Sequence, residues 1–576
     1  MSKRRLGVYI CHCGGNISDY VDVERVRRAV ASDDEVVVAR TTTFACSDAG
    51  QQEMIDDIRK EKLDGLVVAS CSPTLHLLTF RGAAQRAGLN PYQYVHVNIR
   101  EQCSWAHVGA RDAATDKATR LVRGGIAKTA RTRALDPIRV ETVPHVLVVG
   151  AGVSGLRTAL SMADLGLAVT IVEREAEAGG AVRELDALFP RNALGSELVA
   201  GLLSRVRQHE RITLFTGATL ESKSGTVGRF HATLRLSDGS AATIDVGAIV
   251  VATGFRSYQP KAGELGYGTA GVITLPDFRR ALHASDSGTL MVDGREVHSI
   301  AYVYCVGSRQ TGDDEPKNAH CSRFCCNAAL HTATLVSSRY PATEQFHLHK
   351  GLRSYGKHEL MFEDACRSGS VFAKFEDNTM PEVSESNGKL AVELIDLLTD
   401  RQRLRIEPDL VVLVTGMEPR DNGALTDVLK LPLGRDRFYN EIHPKLRPVE
   451  TLINGVFLAG TSQGPKDVAE SVASALAASS KVTALLKRGH VELSPLVAKV
   501  VTDRCAWCDK CVAACPYGAI EKTTADGREV ARVNTSLCKG GGSCLPACPQ
   551  NALELEGFTD AQIESMIDAM SREVAP

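Results

Sequence analysis

Four closely spaced cysteines near the C-terminus constrain this chain more than any other feature. Cys505, Cys508 and Cys511 are separated by two residues each, and Cys515 follows after three more, directly before Pro516. Thiolates at this spacing let one loop wrap three corners of an iron–sulfur cubane, while the fourth cysteine reaches a neighbouring cluster. A zinc site would also use cysteines, but a run that ends in Cys-Pro fits cluster binding better. The tail is therefore predicted to hold iron–sulfur clusters.

A second cysteine run, Cys538 to Pro549, repeats this bacterial-ferredoxin spacing with one exception. Gly541 stands where the second cysteine would be. The crossover of such motifs predicts one site of Cys505, Cys508, Cys511 and Cys548, and another of Cys515, Cys538 and Cys544. The second site therefore has only three thiolates, so its cluster could keep four irons with a non-cysteine ligand, lose an iron, or be absent.

Length, charge and cysteine usage narrow the class of protein. At 576 residues, 44% hydrophobic and 24% charged, the composition is that of an ordinary soluble protein of about three to five domains. A net charge of -2 gives no global field for nucleic acid or an anionic membrane surface. The apolar stretches are too short or too polar to span a bilayer, and no apolar signal segment follows the basic Met1–Arg5 start. A cytoplasmic protein is expected, in which 17 cysteines indicate metal or redox chemistry rather than disulfides.

The pattern of strands and helices predicts a multidomain α/β protein. Short apolar strands alternate with helical segments at 6–10, 35–39, 66–69 and 94–97, and the basic stretch 120–139 ends in a predicted linker at Asp136-Pro137. Near-continuous apolar strands follow at 146–149, 169–172, 249–251, 301–304 and 410–414, as in buried parallel sheets. Five segments are predicted: an N-terminal α/β domain (1–140), a first dinucleotide-binding part (144–265), an inserted domain (266–385), a second dinucleotide-binding part (386–490) and a ferredoxin-like domain (491–576).

A glycine fingerprint opens the second region. Gly150, Gly152 and Gly155 follow a strand and precede a predicted helix at 156–165. The first glycine permits a tight turn, the second lets the backbone approach a pyrophosphate, and the third allows helix and strand to pack closely. The pyrophosphate would sit at the helix N-terminus. Glu173 ends the next strand, where its carboxylate could accept hydrogen bonds from ribose hydroxyls.

Three further elements favour FAD over a free nicotinamide. They are those of flavoproteins whose FAD domain is split around an inserted second domain. They comprise Gly179-Gly180, the strand end Ala252-Thr253-Gly254, and Gly460 with the following Lys466 and Asp467. Lys466 and Asp467 could tune the charge at the flavin ring, although Asp467 could equally be a helix N-cap.

Cysteines stand where the inserted domain would normally carry its own glycine fingerprint. After the strand at 301–304 the sequence has Cys305, and Cys321, Cys325 and Cys326 precede a predicted helix at 327–335. A helix N-terminus stabilises thiolates, which favours ligation, although buried structural cysteines would be a simpler explanation.

The N-terminal domain holds five more cysteines. Cys11, Cys13, Cys46 and Cys71 lie at or just beyond predicted strand ends, where open α/β sheets bind ligands, and Cys103 lies elsewhere. On spacing alone, packing cysteines and a cluster site are equally good explanations.

Together these residues resemble the A subunit of heterodisulfide reductase, an iron–sulfur flavoprotein family, over nearly the whole length. The markers are Cys11-His-Cys-Gly14, Ala69-Ser-Cys-Ser-Pro73, Gly88-Leu-Asn-Pro91, 98–105, the flavin fingerprint, 304–309, 321–326 and Gly464-Pro-Lys-Asp467. The resemblance implies a thioredoxin-reductase-like core with two dinucleotide-binding folds, FAD and [4Fe–4S] clusters. One cluster would be held by Cys305, Cys321, Cys325 and Cys326, and another by cysteines of the N-terminal domain.

The resemblance also implies partners. A homodimer is expected to pass electrons to heterodisulfide reductase-like B and C subunits. Two departures, the missing thiolate at Gly541 and the absence of an additional cysteine-bearing domain between Phe189 and Ile249, resemble the shortened form of sulfur-oxidising bacteria. That form is implicated in oxidising sulfur on a lipoate-carrying protein, with NAD⁺ as the proposed acceptor.

Three alternatives remain open. The chain could be the A subunit of a methanogen-type CoB-CoM heterodisulfide reductase, or a relay and assembly protein without turnover of its own. A self-sufficient NAD(P)H-dependent flavoenzyme would need a second dinucleotide fingerprint and a CxxC pair in the inserted domain, and the sequence has neither. No residue set for nucleophilic catalysis is evident beyond the flavin.

Overall fold

The computed structural model describes residues 3–185, 187–189, 192–285, 288–312 and 317–571. Met1 and Ser2 of the basic start, and Pro190 and Arg191 in the stretch after Phe189, lie outside these residues. The chain forms two compact units, one of residues 1–140 with 492–576 and the other of residues 141–491. No helix among the described residues is long and apolar enough to cross a membrane.

The N-terminal domain is a doubly wound α/β sheet. Its elements are β1 (Leu6–Cys11), α1 (Val23–Ala31), β2 (Val36–Thr42), α2 (Asp48–Lys60), β3 (Gly65–Ser70), α3 (Pro73–Ala87), β4 (Tyr94–Asn98), α4 (Arg111–Thr129) and β5 (Ile138–Glu141). Four strands pair in parallel in the order β2-β1-β3-β4. Because β1 and β3 are buried on both faces, their sequences are continuously apolar, which is why they were recognisable. Helix α4 takes in the first half of the basic stretch, so the linker begins only after Thr129.

The second unit begins with a parallel sheet. Its elements are β6 (His145–Val149), α5 (Val153–Asp164), β7 (Ala168–Glu173), β8 (Ala187–Leu188), β9 (Ala193–Leu194), α6 (Gly195–Gln208), β10 (Ile212–Thr216), β11 (Thr219–Thr226), β12 (Arg229–Arg235), β13 (Ala241–Val246) and β14 (Ala248–Val251). A five-stranded sheet has the order β10-β7-β6-β14 and is completed by a strand from far along the chain. The antiparallel sheet β11-β12-β13 lies between β10 and β14 in sequence.

The inserted part has its own five-stranded sheet. Its elements are β15 (Phe255–Ser257), β16 (Val272–Thr274), α7 (Leu275–Ala284), β17 (Met291–Val292), β18 (Arg295–Glu296), β19 (Ser299–Val306), α8 (Cys325–Arg339), β20 (Glu344–His349), α9 (Glu359–Arg367), β21 (Val371–Lys374), β22 (Glu382–Ser386), β23 (Lys389–Asp396), β24 (Gln402–Ile406), β25 (Leu410–Thr415), β26 (Met417–Pro419) and α10 (Gly423–Leu429). The sheet order is β16-β25-β19-β20-β21.

The chain returns to the first sheet later than the predicted boundary at residue 386. Strand β25 lies between β16 and β19 of the inserted sheet, and the first strand back is β27 (Val456–Leu458), which pairs with β14. It is followed by α11 (Val468–Leu486) and β28 (His490–Leu493). The boundary was misplaced because a buried parallel strand reads the same in either sheet.

The tail is built from two short antiparallel pairs. Its elements are β29 (Ala498–Val500), α12 (Lys510–Ala514), β30 (Ile520–Ala525), β31 (Arg528–Val533), β32 (Leu553–Leu555) and α13 (Asp560–Ser571). Strand β29 pairs with β32, and β30 with β31.

The tail packs on the N-terminal domain within the first unit. Ser565 Oγ donates a hydrogen bond to the carbonyl of Ala127, and Gln562 Nε2 donates to that of Arg131. Lys128 Nζ lies 3.3 Å from the centre of the Phe558 ring. These contacts join α13 and the segment after β32 to α4, although the two stretches are far apart in sequence.

Candidate cofactor sites

The glycine turn after β6 can be formed only by glycine. Gly150 has a φ of 106°, and a Cβ there would lie 2.4 Å from the carbonyl oxygen of Ala252. A Cβ at Gly155 would lie 1.9 Å from the Gly150 oxygen, so helix and strand could not close with any side chain at that position. Gly152 is the N-cap of α5 and has no side chain to satisfy the helix N-terminus. The turn therefore leaves free backbone N–H groups where a pyrophosphate can bind.

A cavity of about 1920 Å³ opens beside this turn. That exceeds the roughly 300–1,000 Å³ of an ordinary small-molecule pocket and suits an extended dinucleotide. Its lining includes most of the predicted cofactor-binding residues: Gly150, Gly152, Glu173, Gly179, Gly180, Ala252, Thr253, Gly254, Lys466 and Asp467. The other two glycines support the lining, since Gly155 packs in the turn and a Cβ at Gly460 would lie 2.1 Å from Ser154 Oγ. The residues present therefore fit FAD.

Glu173 ends β7 and braces the glycine turn. Its Oε2 accepts a hydrogen bond from the Ala151 N–H at 2.8 Å, and its Oε1 accepts one from the Glu175 N–H at 3.0 Å. A carboxylate oxygen has lone pairs left after one such bond, so ribose binding by Glu173 stays a prediction. The bracing contact was not anticipated from sequence.

Lys466 brings a cation to the cavity wall. Its Nζ donates to Gln463 Oε1 at 3.4 Å, and burial lowers its pKa. Asp467 is the N-cap of α11 in a capping box with Glu470, so the structural role considered for it is present. Glu470 in turn accepts a 2.6 Å bond from Arg323 Nη2, which ties α11 to the loop before α8.

Four cysteines meet at the carboxyl end of β19. Burial, together with the neighbouring thiols of Cys326 and Cys321, raises the pKa of Cys305 to about 11. The pKa of Cys326 is lowered by a hydrogen bond from the Cys325 thiol, by a backbone hydrogen bond with Arg353, and by the positive charges of Arg309 and Arg353. The structure thus brings together the predicted set of Cys305, Cys321, Cys325 and Cys326.

This cysteine set adjoins the cavity through helix α8. Phe324, Asn327, Ala328 and His331 line the cavity, and Phe324 immediately precedes Cys325. His331 Nε2 lies 2.8 Å from Asn192 Oδ1, and burial lowers the His331 pKa to about 4, so the ring is neutral near pH 7. These lining residues were missed from sequence, and only their position next to the cysteines could have indicated them.

The turn after β19 is closed where a nucleotide-binding fold would hold a pyrophosphate. Cys305 and Gly307 have φ values of 64° and 66°. The ring of Tyr258 packs directly on Gly307, since a Cβ there would lie 2.0 Å from Tyr258 Cγ. The turn after β19 thus lacks the second glycine fingerprint, and the ring of Tyr258 also covers the place where a pyrophosphate would bind.

The tail cysteines approach one another in the crossed pattern. The thiols that raise the pKa of Cys511 are those of Cys505, Cys508 and Cys548, with burial the largest cause. Those that raise the pKa of Cys544 include Cys538 and Cys515, again after burial. The site with four thiolates, here called the complete site, consists of Cys505, Cys508, Cys511 and Cys548. Together with Trp507, these cysteines line a small cavity of about 20 Å³. Cys548 thus lies with the first run and Cys515 with the second.

In the N-terminal domain, four of the five cysteines lie at one edge of the sheet. Cys11 ends β1, and its Sγ accepts hydrogen bonds from the N–H groups of Cys13 and Ala45 at 3.2 and 3.4 Å. Burial raises the pKa of Cys71 to about 11; the Arg100 charge lowers it, and Cys13 and Cys46 raise it. The structure does not bring Cys103 into this group. Its pKa is raised to about 11 by burial, and the charge that acts on its thiol is that of Lys117.

Among the described residues, no three His, Cys, Asp or Glu side chains lie close enough to hold a single metal ion. In a [4Fe–4S] cluster, by contrast, each thiolate bonds its own iron.

Two family models match parts of the chain. The "4Fe-4S dicluster domain" matches residues 504–552, and the "Pyridine nucleotide-disulphide oxidoreductase" matches residues 124–274. These matches, the glycine turn and the crossed cysteines define an iron–sulfur flavoprotein oxidoreductase whose cofactors are FAD and [4Fe–4S] clusters. The predicted α/β fold class is confirmed.

Curated relatives then identify the family. The second iron-sulfur A subunit of the CoB--CoM heterodisulfide reductase of Methanopyrus kandleri is 35% identical over 91% of this chain and 92% of its own length. The corresponding A subunit of Methanocaldococcus jannaschii is 34% identical over 98% of both chains. The chain belongs to the heterodisulfide reductase A-subunit family, whose members are electron-transfer subunits of larger complexes.

A solved thioredoxin reductase of T. acidophilum is also similar. It covers 59% of this chain and 99% of its own, at 16% identity and a TM-score of 0.40.

Proposed function

We propose that this chain is the FAD and iron–sulfur electron-transfer subunit of a heterodisulfide reductase-like complex that works in cytoplasmic sulfur oxidation. The observation that carries the proposal is the contact between the cavity and the cysteine set on α8. Phe324 lines the cavity and the next residue, Cys325, belongs to the set. When bound, FAD exchanges electrons in pairs or singly, whereas clusters carry them one at a time.

The chain's own residues are suited to hold both groups close together. The glycine turn binds the pyrophosphate, and Lys466 places positive charge at the cavity wall. Cys305, Cys321, Cys325 and Cys326 would ligate a cluster directly beside it. The half-buried ring of Phe324 and the buried, neutral ring of His331 line the cavity wall on the side of helix α8.

Exchange with NAD(H) belongs to the same proposal. Because Tyr258 covers the turn after β19, a nicotinamide would have to approach through the flavin cavity itself. The sequence between Phe189 and Ile249 supports the shortened, sulfur-oxidising form, because it contains no cysteine and its described residues form β9, α6, β10, the antiparallel sheet β11-β12-β13 and the start of β14.

We further propose a cluster at Cys11, Cys13, Cys46 and Cys71, with Cys103 apart from it. The partners proposed are a second copy of the chain, B and C subunits, and through them a lipoate-carrying protein. The methanogen-type disulfide substrate is the second candidate, favoured by the CoB--CoM heterodisulfide reductases among the relatives.

Anaerobic measurements on the purified chain test this function. Iron, sulfide and flavin are quantified, and electron paramagnetic resonance spectra are recorded after adding NADH or dithionite. Reduction of flavin and clusters by NADH is expected. Reduction by dithionite alone would remove NAD from the proposal and leave an electron relay.

A matched pair of variants isolates the cluster beside the flavin. Cys305→Ser should lose iron and slow the passage of electrons from flavin to the remaining clusters. Cys366→Ser is the control, because Cys366 is exposed and belongs to none of the cysteine sets. Equal behaviour of the two variants would contradict a cluster at α8.

A further inference from the structure

The loop around Gly541 repeats the backbone of the loop around Cys508. In the first loop Trp507 and Asp509 have positive φ values of 31° and 57°. In the second loop the residues at the same places, Gly540 and Gly542, have φ values of 68° and 73°. Gly541 therefore occupies the position of Cys508 in a loop that still has the cluster-binding shape.

Nothing in the local structure requires glycine at position 541. Its φ is not positive, and a Cβ there would meet only Tyr517 Cε2, at 3.6 Å, which is an ordinary contact. At Gly540 a Cβ would lie 2.4 Å from the carbonyl oxygen of Leu496. A cysteine would thus fit at 541 and would not fit at 540.

The other three corners of the second site are intact. Cys538 and Cys515 lie near Cys544. Cys515 Sγ accepts a hydrogen bond from the Ala519 N–H at 3.4 Å, as Cys548 Sγ does from Ala552 at 3.3 Å in the complete site. Such bonds stabilise thiolates that ligate a cluster.

The corner without a thiolate faces solvent. Gly541 is exposed, as is its counterpart Cys508. A small molecule could reach this corner without displacing core side chains.

We propose that the second site holds a [4Fe–4S] cluster on three thiolates and leaves one iron, at Gly541, open to a small thiolate from solution. A soft thiolate is the ligand class that such an iron prefers. Binding is a ligand substitution with no net oxidation: one iron–sulfur bond forms, one water leaves, and the proton of the thiol passes to the buffer. This site would exist whichever substrate the complex acts on.

The test uses the full-length chain, reconstituted anaerobically, with 2-mercaptoethanol as the thiol. Mild oxidation with ferricyanide should remove about one more iron from the wild type than from Gly541→Cys, because the iron without a thiolate is the labile one. The extra loss should appear as a three-iron signal in the electron paramagnetic resonance spectrum. Added thiol should change the spectrum of the reduced wild type and leave that of Gly541→Cys unchanged.

Three further variants keep the outcome decisive. Gly541→Ala should behave like the wild type, since it adds a side chain without a thiol. Cys544→Ser should lower the iron content; unchanged iron would mean that the second site holds no cluster and would overturn the proposal. Tyr517→Phe should respond to thiol as the wild type does; a thiol response that appears only after this substitution would make Tyr517 the fourth ligand and overturn the proposal. Identical iron loss and thiol response in the wild type and Gly541→Cys would also overturn it.

Discussion

The two halves of the ferredoxin-like tail have the same backbone but different ligands. Both loops carry left-handed residues at the same two places, and both final cysteines accept a hydrogen bond from an alanine N–H four residues on. Only the first half has all its thiolates. The comparison shows that the fold of such a half is set by its turns and strand pairs, so a ligand can be lost without loss of the loop.

Removing either of the two cysteines that cross between the halves should have the largest effect. Cys548→Ser, although in the second run, should remove the complete cluster, and Cys515→Ser should remove most of the second one. The reason is that Cys548 lies beside Cys511, and Cys515 beside Cys544. Iron content and electron paramagnetic resonance of the two reduced variants measure this. If the signal of the complete cluster persists in Cys548→Ser, Cys548 is not one of its ligands.

A pair of alanine variants tests which of the two glycines, Gly540 or Gly541, the backbone conformation requires. Gly540→Ala should destabilise the tail by about 1–3 kcal/mol, because an L-residue is strained at a φ of 68° and its Cβ would contact Leu496. Gly541→Ala should cost less than about 0.5 kcal/mol. The denaturant midpoint for loss of cluster absorbance reports both effects. Equal midpoints would show that the two glycines are equivalent, contrary to the geometry.

Trp507 distinguishes the halves by shielding. It lines the small cavity of the complete site, whereas Gly540 stands at the same place in the other loop. Trp507→Ala should therefore speed the loss of the complete cluster in air several-fold and leave the second cluster unaffected. The rate of absorbance loss, resolved by spin resonance, is the measurement, with Trp105→Ala in the N-terminal domain as the control. A uniform change in both clusters would argue against local shielding.

The smallest expected effect is on the pH dependence of unfolding, through the contact between Lys128 and Phe558 in the segment after β32. Burial lowers the pKa of Lys128, which lies against Phe558, to about 8. The unfolded chain therefore binds the extra proton between about pH 8 and 10.5, and the free energy of unfolding should rise with pH across that window. Lys128→Met should flatten the rise while keeping the apolar contact. Denaturant midpoints at several pH values check this, and an unchanged slope in the variant would exclude Lys128 as its source.

Local patterns made much of this architecture predictable. The central strands β1, β3 and β6 are almost continuously apolar, and the glycine turn has one geometry, so these strands and Gly150, Gly152 and Gly155 could be placed in advance. The crossed cysteine pairing follows from motif spacing.

Contacts between distant segments were not predictable in the same way. The packing of α13 on α4 depends on Ser565 and Gln562, whose short-range pattern does not point to any partner. The packing of the Tyr258 ring on Gly307 also depends on tertiary structure. The same holds for the separation of Cys103 from the other four cysteines of the N-terminal domain.

The crossing of Cys548 into the complete site has a consequence for how the tail can change over generations. A chain that discarded its defective half would also discard the fourth ligand of its intact cluster. The second half is therefore retained because it supplies Cys548 to the other cluster site, even though its own site has one thiolate fewer. Such mutual dependence allows a single corner to become vacant while preventing the removal of the module that contains it.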